Sequence, residues 1–366
     1  MTRRLRALLY LAAVALLIGT VWLRLRWERL REAREYHRRG VAALQRGNLP
    51  EAVEAFQREV ALTPHNPLAY ASLGMVEKER GRYPQAARAL RKALELGADD
   101  VEIDCALGFI FYRMTQYQAA VPRLKRCIRR QPDDDRSRYY LTQCYLSQGM
   151  LDDAEREIRV LIDRHPQTGQ FHYVLGAIYM ARSASPQNND AAARSLRTAI
   201  AFDKNLTGAY YSLGIVYRRM NRLAEAAQML EEALRRDPGG YEIRRVLASV
   251  YRQMGNHAAA REQFRRVRAD MQKVRYSQRL DYLRGEALLR NPQNPVAHYQ
   301  LGCFYLETNE LNKAAAALQT AAQLDPTWTE VHEKLAQVYE RLGKRREAEQ
   351  ARQRATRRAR TLRPPE

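Results

Sequence analysis

The stretch YYSLGIVYRRMNRLAEAAQMLEEALRRDP, residues Tyr210 to Pro238, contains two short amphipathic segments joined by a polar turn. Its large apolar residues recur every three to four positions, which is the spacing of one face of an α-helix. Neither segment can bury its apolar face alone, so each needs another part of the chain to pack against. The stretch therefore predicts a helix–turn–helix unit that requires neighbours.

Copies of this unit run along most of the chain. Ala226 has counterparts separated by steps of 34, 34, 34, 38, 34, 34, 54 and 34 residues. A small residue, often glycine, usually lies twelve positions before the alanine, and a proline often lies twelve positions after it. Small residues let two helices cross closely, and proline ends the second helix. The nine repeat alanines are Ala52, Ala86, Ala120, Ala154, Ala192, Ala226, Ala260, Ala314 and Ala348.

This pattern resembles the tetratricopeptide repeat (TPR) family, in which each unit of 34 residues is a helix–turn–helix. The residues that match best are Tyr210, Leu213, Gly214, Tyr217, Ala226, Leu230, Ala233 and Pro238. The resemblance implies an all-α fold, a TPR-like right-handed α-solenoid whose core is continuous from one unit to the next. Nine units are predicted, at 33–66, 67–100, 101–134, 135–168, 169–206, 207–240, 241–274, 295–328 and 329–362.

The repeats leave no room for a catalytic domain, so the sequence predicts a protein that is not an enzyme. The four cysteines show no C-x-x-C spacing and are interpreted as unpaired thiols. Equivalent histidines of stacked repeats would lie too far apart to share a zinc ion. We therefore expect no metal site and no cofactor.

The sequence also contains segments outside the regular repeats, at both ends of the chain and at one insertion. We predict a basic N-terminal tail at 1–6, a transmembrane signal-anchor helix at 7–23 and a basic juxtamembrane linker at 24–32. The solenoid follows at 33–362, with an irregular insertion at 275–294, and a short tail occupies 363–366. The insertion keeps helical spacing, which indicates a helix of up to about 50 Å ending before Pro292, a helix broken near Ser277, or a degenerate half-unit. The stretch Ser183–Asp190 is expected to project as a polar loop.

The predicted anchor, Ala7 to Leu23, is an uncharged run long enough to cross a thin bilayer. A cleaved signal peptide is the alternative, but no small-x-small cleavage site ends the run. We expect a single-pass protein of the inner (plasma) membrane. The orientation is nearly balanced and leans towards a cytosolic repeat domain, which the arginines after the run and the unpaired cysteines favour. A short basic tail before the anchor favours the alternative, export to the periplasm.

The TPR resemblance implies a concave groove lined by the first helix of each unit, which would bind an extended or helical segment of another protein. Tyrosine and arginine occupy many lining positions, and both are enriched where partners bind. Tyr139, Tyr173 and Tyr211 share one position in consecutive units and should form a ladder. The predicted partner-binding groove consists of Phe109, Tyr112, Arg113, Tyr139, Tyr173, Tyr211, Arg218, Arg219, Arg245, Arg252 and Tyr299.

Positive charge is concentrated at a few places in a chain of net charge +21. Residues 1–40 carry ten arginines against three glutamates, and residues 257–290 carry nine basic against four acidic residues. The main hypothesis is a membrane-anchored scaffold that assembles a protein complex through its groove. The alternative is a polyanion binder, for nucleic acid or anionic lipid, that uses the basic regions 257–290 and 341–363. Of these two ligands, nucleic acid is the less favoured, and a capping helix also explains the C-terminal region.

Overall fold

A computed structural model of the chain describes the backbone of residues 3–361 and the side chains of residues 16–356. Within that range the protein is all-helical and contains no strand, which confirms the predicted fold class. The α-helices are α1 Arg3–Gln45, α2 Leu49–Leu62, α3 Pro67–Glu79, α4 Tyr83–Glu95, α5 Val101–Arg113, α6 Tyr117–Arg130, α7 Asp135–Ser147, α8 Leu151–Arg164, α9 Gly169–Ala181, α10 Pro186–Phe202, α11 Thr207–Arg219, α12 Leu223–Arg236, α13 Tyr241–Gln253, α14 His257–Arg284, α15 Pro295–Glu307, α16 Leu311–Leu324, α17 Thr329–Arg341 and α18 Arg345–Thr361.

Each predicted repeat contains one pair of consecutive helices, from α1–α2 to α17–α18. The chain divides into two compact units, Met1–Asp237 with the first six pairs and Pro238–Glu366 with the last three. In the first unit, one apolar core runs through successive repeats, from Ala86 in α4 to Ile178 in α9. In the second unit, another core joins the end of α14 to α15–α18. Each core is therefore shared between neighbouring repeats.

The turn between the two helices of a pair requires a left-handed backbone. Asn221 adopts a φ of 59° at this position, where the short polar side chain is tolerated. Glycine supplies the same conformation in other repeats, without the steric penalty of a Cβ. The equivalent glycines are Gly47, Gly81, Gly149, Gly255 and Gly343.

The repeat alanines lie where the two helices of a pair cross. Ala226 is fully buried, as are most of its counterparts, and the most exposed of the nine, Ala260, is only 4% exposed. A Cβ built on Gly214 would lie 3.2 Å from the carbonyl oxygen of Ala226. The small residues therefore permit the close crossing that the pattern predicts.

Among its described side chains, from residue 16 onward, the first helix α1 packs against the rest of the protein only near its C-terminal third. Its first buried side chain among those described is Ala33, at the predicted start of the first repeat. Before that point, large apolar side chains such as Leu16, Ile18 and Trp22 are more than half exposed. Among the side chains that the structure describes, no helix is both long enough and apolar enough to span a membrane. Residues 7–15 of the predicted anchor lie outside that set.

The expected polar loop at Ser183–Asp190 is wrong. The extra residues of this repeat lengthen the second helix, because α10 already begins at Pro186. Ser185 caps this helix by accepting a hydrogen bond from the backbone N–H of Asn188, and proline suits the first helical position because it has no N–H to satisfy. The polar composition of the stretch therefore marks a helix start.

The insertion at 275–294 is a continuation of the helix before it. After α14 ends at Arg284, the backbone passes through Gly285 in helical geometry (φ −58°, ψ −43°) into a π-helical turn, Gly285–Arg290. From His257 to Arg290 the helix is about 51 Å long at 1.5 Å per residue. The helix ends before Pro292 and is not broken near Ser277. Of the three alternatives, the structure therefore matches the single long helix.

The interpretation of all four cysteines as unpaired is also wrong. A disulfide of 2.08 Å joins Cys105 on α5 to Cys127 on α6. The two positions belong to one helix pair, and their Cα atoms lie 5.1 Å apart, within the range that a disulfide spans. Spacing along the sequence could not show this, because the turn between the helices brings together residues 22 positions apart. Cys144 and Cys303 are free thiols.

Candidate binding surface

Aromatic rings from four consecutive repeats form one connected cluster in the first unit. Tyr140 lies at its centre, with its ring 5.1 Å from Phe109 and 5.0 Å from Tyr112, which it stacks against. The cluster extends from Phe109 to Tyr83 at 6.0 Å, and from Tyr140 through Tyr139 to Phe171 at 6.2 and 6.1 Å. We call this cluster the aromatic surface; its members are Tyr83, Phe109, Tyr112, Tyr139, Tyr140 and Phe171.

Two arginines lie beside the aromatic surface. The guanidinium of Arg113 lies 5.0 Å from the ring centre of Tyr83 and 5.7 Å from that of Phe109, the geometry of a cation–π contact. Arg136 lines the same region next to Tyr140. Among the described residues, neither arginine forms an ion pair. Both guanidinium groups therefore keep donors available to a carboxylate of a ligand.

A pocket of about 480 Å³ opens between the first helices of neighbouring repeats at this place. Phe109 and Tyr140 line it together with Arg136 and acidic residues. Each acidic side chain has a partner within the protein: Glu79 pairs with Lys78 at 3.1 Å, Glu102 accepts a hydrogen bond from Gln131 at 3.2 Å, and Asp134 accepts one from the backbone N–H of Ser137. The pocket thus offers apolar rings and the guanidinium of Arg136 to a ligand.

Tyr112 and Tyr140 remain protonated at neutral pH. Burial raises the pKa of Tyr112, with a smaller contribution from neighbouring tyrosines, and burial likewise raises the pKa of Tyr140. A protonated phenol donates one hydrogen bond and presents an apolar ring. Gln170 already donates to the Tyr139 hydroxyl at 3.2 Å, which connects this ring to the next repeat. The arrangement suits the binding of a ligand that has apolar and hydrogen-bonding groups.

Only part of the predicted groove belongs to this surface. Phe109, Tyr112, Arg113 and Tyr139 lie together, as their positions in neighbouring repeats imply. Tyr173 lies one repeat further along, where its hydroxyl would be 3.1 Å from a Cβ built on Gly208.

The other predicted residues of the first unit lie on α11. Tyr211 and Arg218 are half-buried there, and Arg219 donates to the carbonyl oxygen of Met180 at 2.9 Å. The ladder of Tyr139, Tyr173 and Tyr211 stays a prediction.

The last three predicted residues belong to the second unit. Arg245 and Arg252 are exposed on α13, and Arg245 pairs with Glu242 at 2.6 Å. Tyr299 on α15 packs against Trp328 at 4.7 Å, and burial raises its pKa to about 12. These positions supply side chains to a different part of the protein from the aromatic surface.

Sequence reasoning missed four residues of the surface and its edge: Tyr83, Arg136, Tyr140 and Phe171. Tyr140 follows the predicted Tyr139 directly, in a position that holds Ser72 and Ala106 in earlier repeats. An aromatic residue where other repeats have small ones was the available signal. Tyr83 carried no such signal, because it starts a second helix and meets Phe109 only through packing between repeats.

The disulfide lies at the edge of the same pocket, since Cys105 lines it. Cys105, Cys127 and Asp134 also form the one cluster of metal-ligand type among the described residues. Metal binding requires thiolates, and both sulfurs here are bonded to each other. The cluster is therefore a structural cross-link between α5 and α6.

A larger pocket of about 820 Å³ lies among α16, α17 and α18 in the second unit. Its lining includes Leu335 and Tyr339, but none of the predicted groove residues. His332, which also lines it, contacts the carbonyl oxygen of Pro326 at 3.1 Å. We consider the smaller pocket the better candidate, because it combines the rings of Tyr83, Phe109 and Tyr140 with Arg136, which forms no ion pair among the described residues.

Comparison with known families now identifies the fold. One family model described as tetratricopeptide repeat matches residues 112–178 and 280–338, and a second with the same description matches 28–67, 37–101 and 211–273. Together they cover well over half of the chain. The chain belongs to the tetratricopeptide repeat family. Its repeats therefore form a scaffold of the kind that mediates protein–protein interactions, whose binding surface is set by residues outside the packing positions.

Solved TPR structures resemble the chain at low identity. YrrB, a TPR protein with an unusual peptide-binding site, is 22% identical with a TM-score of 0.47, over 52% of this chain and 96% of that chain. MamA is 21% identical with a TM-score of 0.43, over 47% of this chain and 92% of that one. The C-terminal part of a TPR protein from Cytophaga hutchinsonii is 15% identical with a TM-score of 0.48, over 72% and 98%. These values are too low to carry an argument about function, and no curated protein matches the chain.

Proposed function

We propose that this protein is a membrane-anchored scaffold, without catalytic activity, that assembles a protein complex by binding an extended segment of another protein. The segment would lie on the aromatic surface and present an apolar side chain next to an acidic one. The observation that carries this proposal is the stacked group of Phe109, Tyr112 and Tyr140 beside Arg113. Such a surface offers large apolar area at a small cost in side-chain entropy, together with a directional donor for a carboxylate.

Anchoring through residues 7–23 is the second part of the proposal. Its support is the uncharged run in the sequence and the exposed apolar side chains at the end of this run and just after it in α1, such as Leu17, Trp22 and Trp27. Arg26 lies over the Trp22 ring at 5.2 Å and Arg31 over the Trp27 ring at 5.7 Å. Tryptophan and arginine at the end of an apolar run are typical of a membrane interface. The full chain should resist extraction by alkaline carbonate, and a chain starting at residue 33 should be released without detergent.

We further propose that the repeat domain lies on the oxidising side of the membrane. The Cys105–Cys127 disulfide supports this location, since disulfides persist outside the reducing cytosol. The arginines after the apolar run favour the opposite orientation. We give the disulfide more weight, because the short tail before the anchor also contains arginines that can stay inside.

Site-specific crosslinking tests the binding surface. A photo-reactive phenylalanine analogue at position 140 of the full chain should capture a partner in cells, and the same analogue at the exposed Tyr241 of the second unit serves as the control. The captured segment is then synthesised, and its affinity is measured for the wild type and for Arg113→Glu. We expect loss of binding in the variant. Equal affinity for both proteins would mean that the aromatic surface is not the binding site.

A salt titration of the same complex distinguishes this function from polyanion binding. Binding that rests on aromatic contacts should weaken little between low and moderate salt. Binding of nucleic acid or anionic lipid by regions 257–290 and 341–363 would weaken steeply, because it depends on counterion release. A steep salt dependence without any effect of Arg113→Glu would support the alternative.

A further inference from the structure

One repeat in the second unit leaves its apolar face open. The residue four positions after each repeat alanine is an aliphatic or aromatic side chain in the first eight repeats. It is at most 1% exposed in seven of them, yet Phe264 is 39% exposed. The buried counterparts are Phe56, Leu90, Leu124, Ile158, Leu196, Leu230 and Leu318.

The open face follows from the length of α14. In a regular repeat, the first helix of the next unit packs beside the second helix of its predecessor. Here the helix continues to Arg290, and the core containing α15 forms against its far half, at Leu283 and Ala287. The near half of α14, opposite α13, is thus left without the following helix. A position that a regular repeat array would fill is vacant.

The exposed face has the pattern of a helix-packing seam. Phe264, Val267, Met271 and Val274 are spaced by three, four and three residues, which places them on one stripe. Within this stripe Val267 is buried, at 8% exposed, whereas Met271 is 44% exposed and Val274 is 53% exposed. A pocket of about 640 Å³ lies over Phe264, Val267 and Met271. Apolar side chains in this arrangement normally contact another helix.

A row of arginines borders the stripe on one side. Arg261, Arg268 and Arg275 repeat every seven residues, so they follow the stripe along the helix. All three are exposed, and none forms an ion pair with a described residue. On the opposite edge, Asp270 lies 3.6 Å from Arg244 of α13, so its charge is already compensated. The surface next to the stripe therefore favours an acidic ligand.

We propose that this vacant position binds an amphipathic helix of a partner protein, with apolar residues facing the stripe and acidic residues facing the arginine row. Charge complementarity at positions that flank a helix seam selects the partner and its orientation. A second copy of the same surface fits poorly, because residues 257–290 carry nine basic against four acidic residues. The inference is independent of the aromatic surface in the first unit.

A designed peptide tests the proposal on the full chain. The probe is a synthetic helix of three heptads with leucine at the seam positions and glutamate at the flanking positions; the control peptide carries lysine instead of glutamate. Peroxide oxidation provides the readout, since exposed methionine is converted to its sulfoxide. Met271 and Met254 are both 44% exposed, so Met254 is an internal reference. The glutamate peptide should slow oxidation of Met271 several-fold and leave Met254 unchanged.

Variants identify the contacts. Binding of the fluorescently labelled glutamate peptide should weaken at least tenfold in Met271→Glu and in Arg268→Glu. It should stay within twofold in Lys273→Glu, because Lys273 lies on the opposite side of the helix from the stripe. Because all three side chains are exposed, the variants should unfold at the same temperature as the wild type. That result would exclude a loss of structure as the cause of weaker binding.

Three results would overturn the proposal. Equal binding of the lysine and glutamate peptides would show that the arginine row selects nothing. Self-association of the full chain that Met271→Glu abolishes would make a second copy the occupant. Protection of Met271 in nanodiscs of phosphatidylglycerol, but not by the glutamate peptide, would make a membrane surface the occupant.

Discussion

Leu230 fills the space directly in front of Gly214, so that a Cβ built on Gly214 would lie 2.7 Å from Leu230 Cγ. The same relationship joins Gly74 to Leu90 and Gly108 to Leu124, each at 2.6 Å. The glycine and the large residue of one repeat are therefore a matched pair, and their contact sets how closely the two helices approach.

Gly214→Ala should destabilise the protein. The added methyl must displace Leu230 in a close-packed crossing, and overpacking of this kind costs about 1–3 kcal/mol. The control is Gly285→Ala, since Gly285 is helical and a Cβ there would meet nothing within 4 Å. That variant should gain up to about 1 kcal/mol, the helix preference of alanine over glycine. Chemical denaturation measures both, and a gain in both variants would show that the crossing at Gly214 has spare room.

The disulfide predicts the number of thiols that can be labelled. In the protein denatured without reductant, two cysteines should react with a maleimide, and four should react after reduction. Before denaturation Cys144 should not react, because burial raises the pKa of its thiol to about 12. The measurement is a mass shift on protein taken from cells under acid quench. Four reactive thiols without reductant would place the repeat domain in a reducing compartment.

Removing the disulfide should also lower stability. Replacing Cys105 and Cys127 by serine releases a loop closed over 22 residues, for which loss of the cross-link costs about 2–4 kcal/mol. A serine at the free, half-buried Cys303 is the matched control, since it removes a thiol but no cross-link. Denaturation with and without reductant should show a difference for the wild type and none for the double variant.

Substitutions of Tyr140 and of Tyr173 distinguish two hypotheses about which residues bind the partner. If the stacked cluster binds the partner, Tyr140→Ala should weaken binding by about 1–2 kcal/mol, the value of a buried aromatic anchor, and Tyr173→Ala should have little effect. If the ladder of Tyr139, Tyr173 and Tyr211 binds it, Tyr173→Ala should weaken binding equally. Titration of the crosslinked segment against each variant measures this, and an unchanged melting temperature is the control for folding.

Acid should weaken the contact between α8 and α9 at Glu155. Burial of its carboxylate raises the pKa, but hydrogen bonds from Tyr179 at 2.7 Å and from Arg159, with the nearby charge of Arg182, outweigh burial and lower it. Because the pKa of Glu155 is lower in the folded than in the unfolded protein, its ionised form stabilises the fold. This stabilisation is fully present above the pKa of the unfolded protein, about 4.3, and is lost as the pH falls through the pKa of the folded protein. Glu155→Gln should therefore be less stable at neutral pH and lose less stability on acidification.

The exposed Glu54→Gln serves as the control for this prediction, since Glu54 lies on the surface of α2. Its unfolding curves at neutral and acidic pH should match those of the wild type. A wild type and a Glu155→Gln variant that lose equal stability in acid would show that the Glu155 network adds nothing to folding.

The repeat pattern by itself determined the helices and their pairing. Alanine and glycine at fixed spacing specify where helices cross, and residues such as Pro238 specify where they end, because these effects act within one repeat. Four of the predicted groove residues, from Phe109 to Tyr139, lie together because they are on the first helices of neighbouring repeats, which line one face.

Contacts between segments decided the rest. The Cys105–Cys127 bond depends on where a turn places two helix faces, and the edge-to-face contact of Tyr83 with Phe109 depends on packing between repeats. The vacant position beside Phe264 arises because one long helix carries the next pair away from its usual place. A sequence records which residues are apolar, but the burial of each residue depends on which segment packs against it. Only the tertiary structure determines that packing.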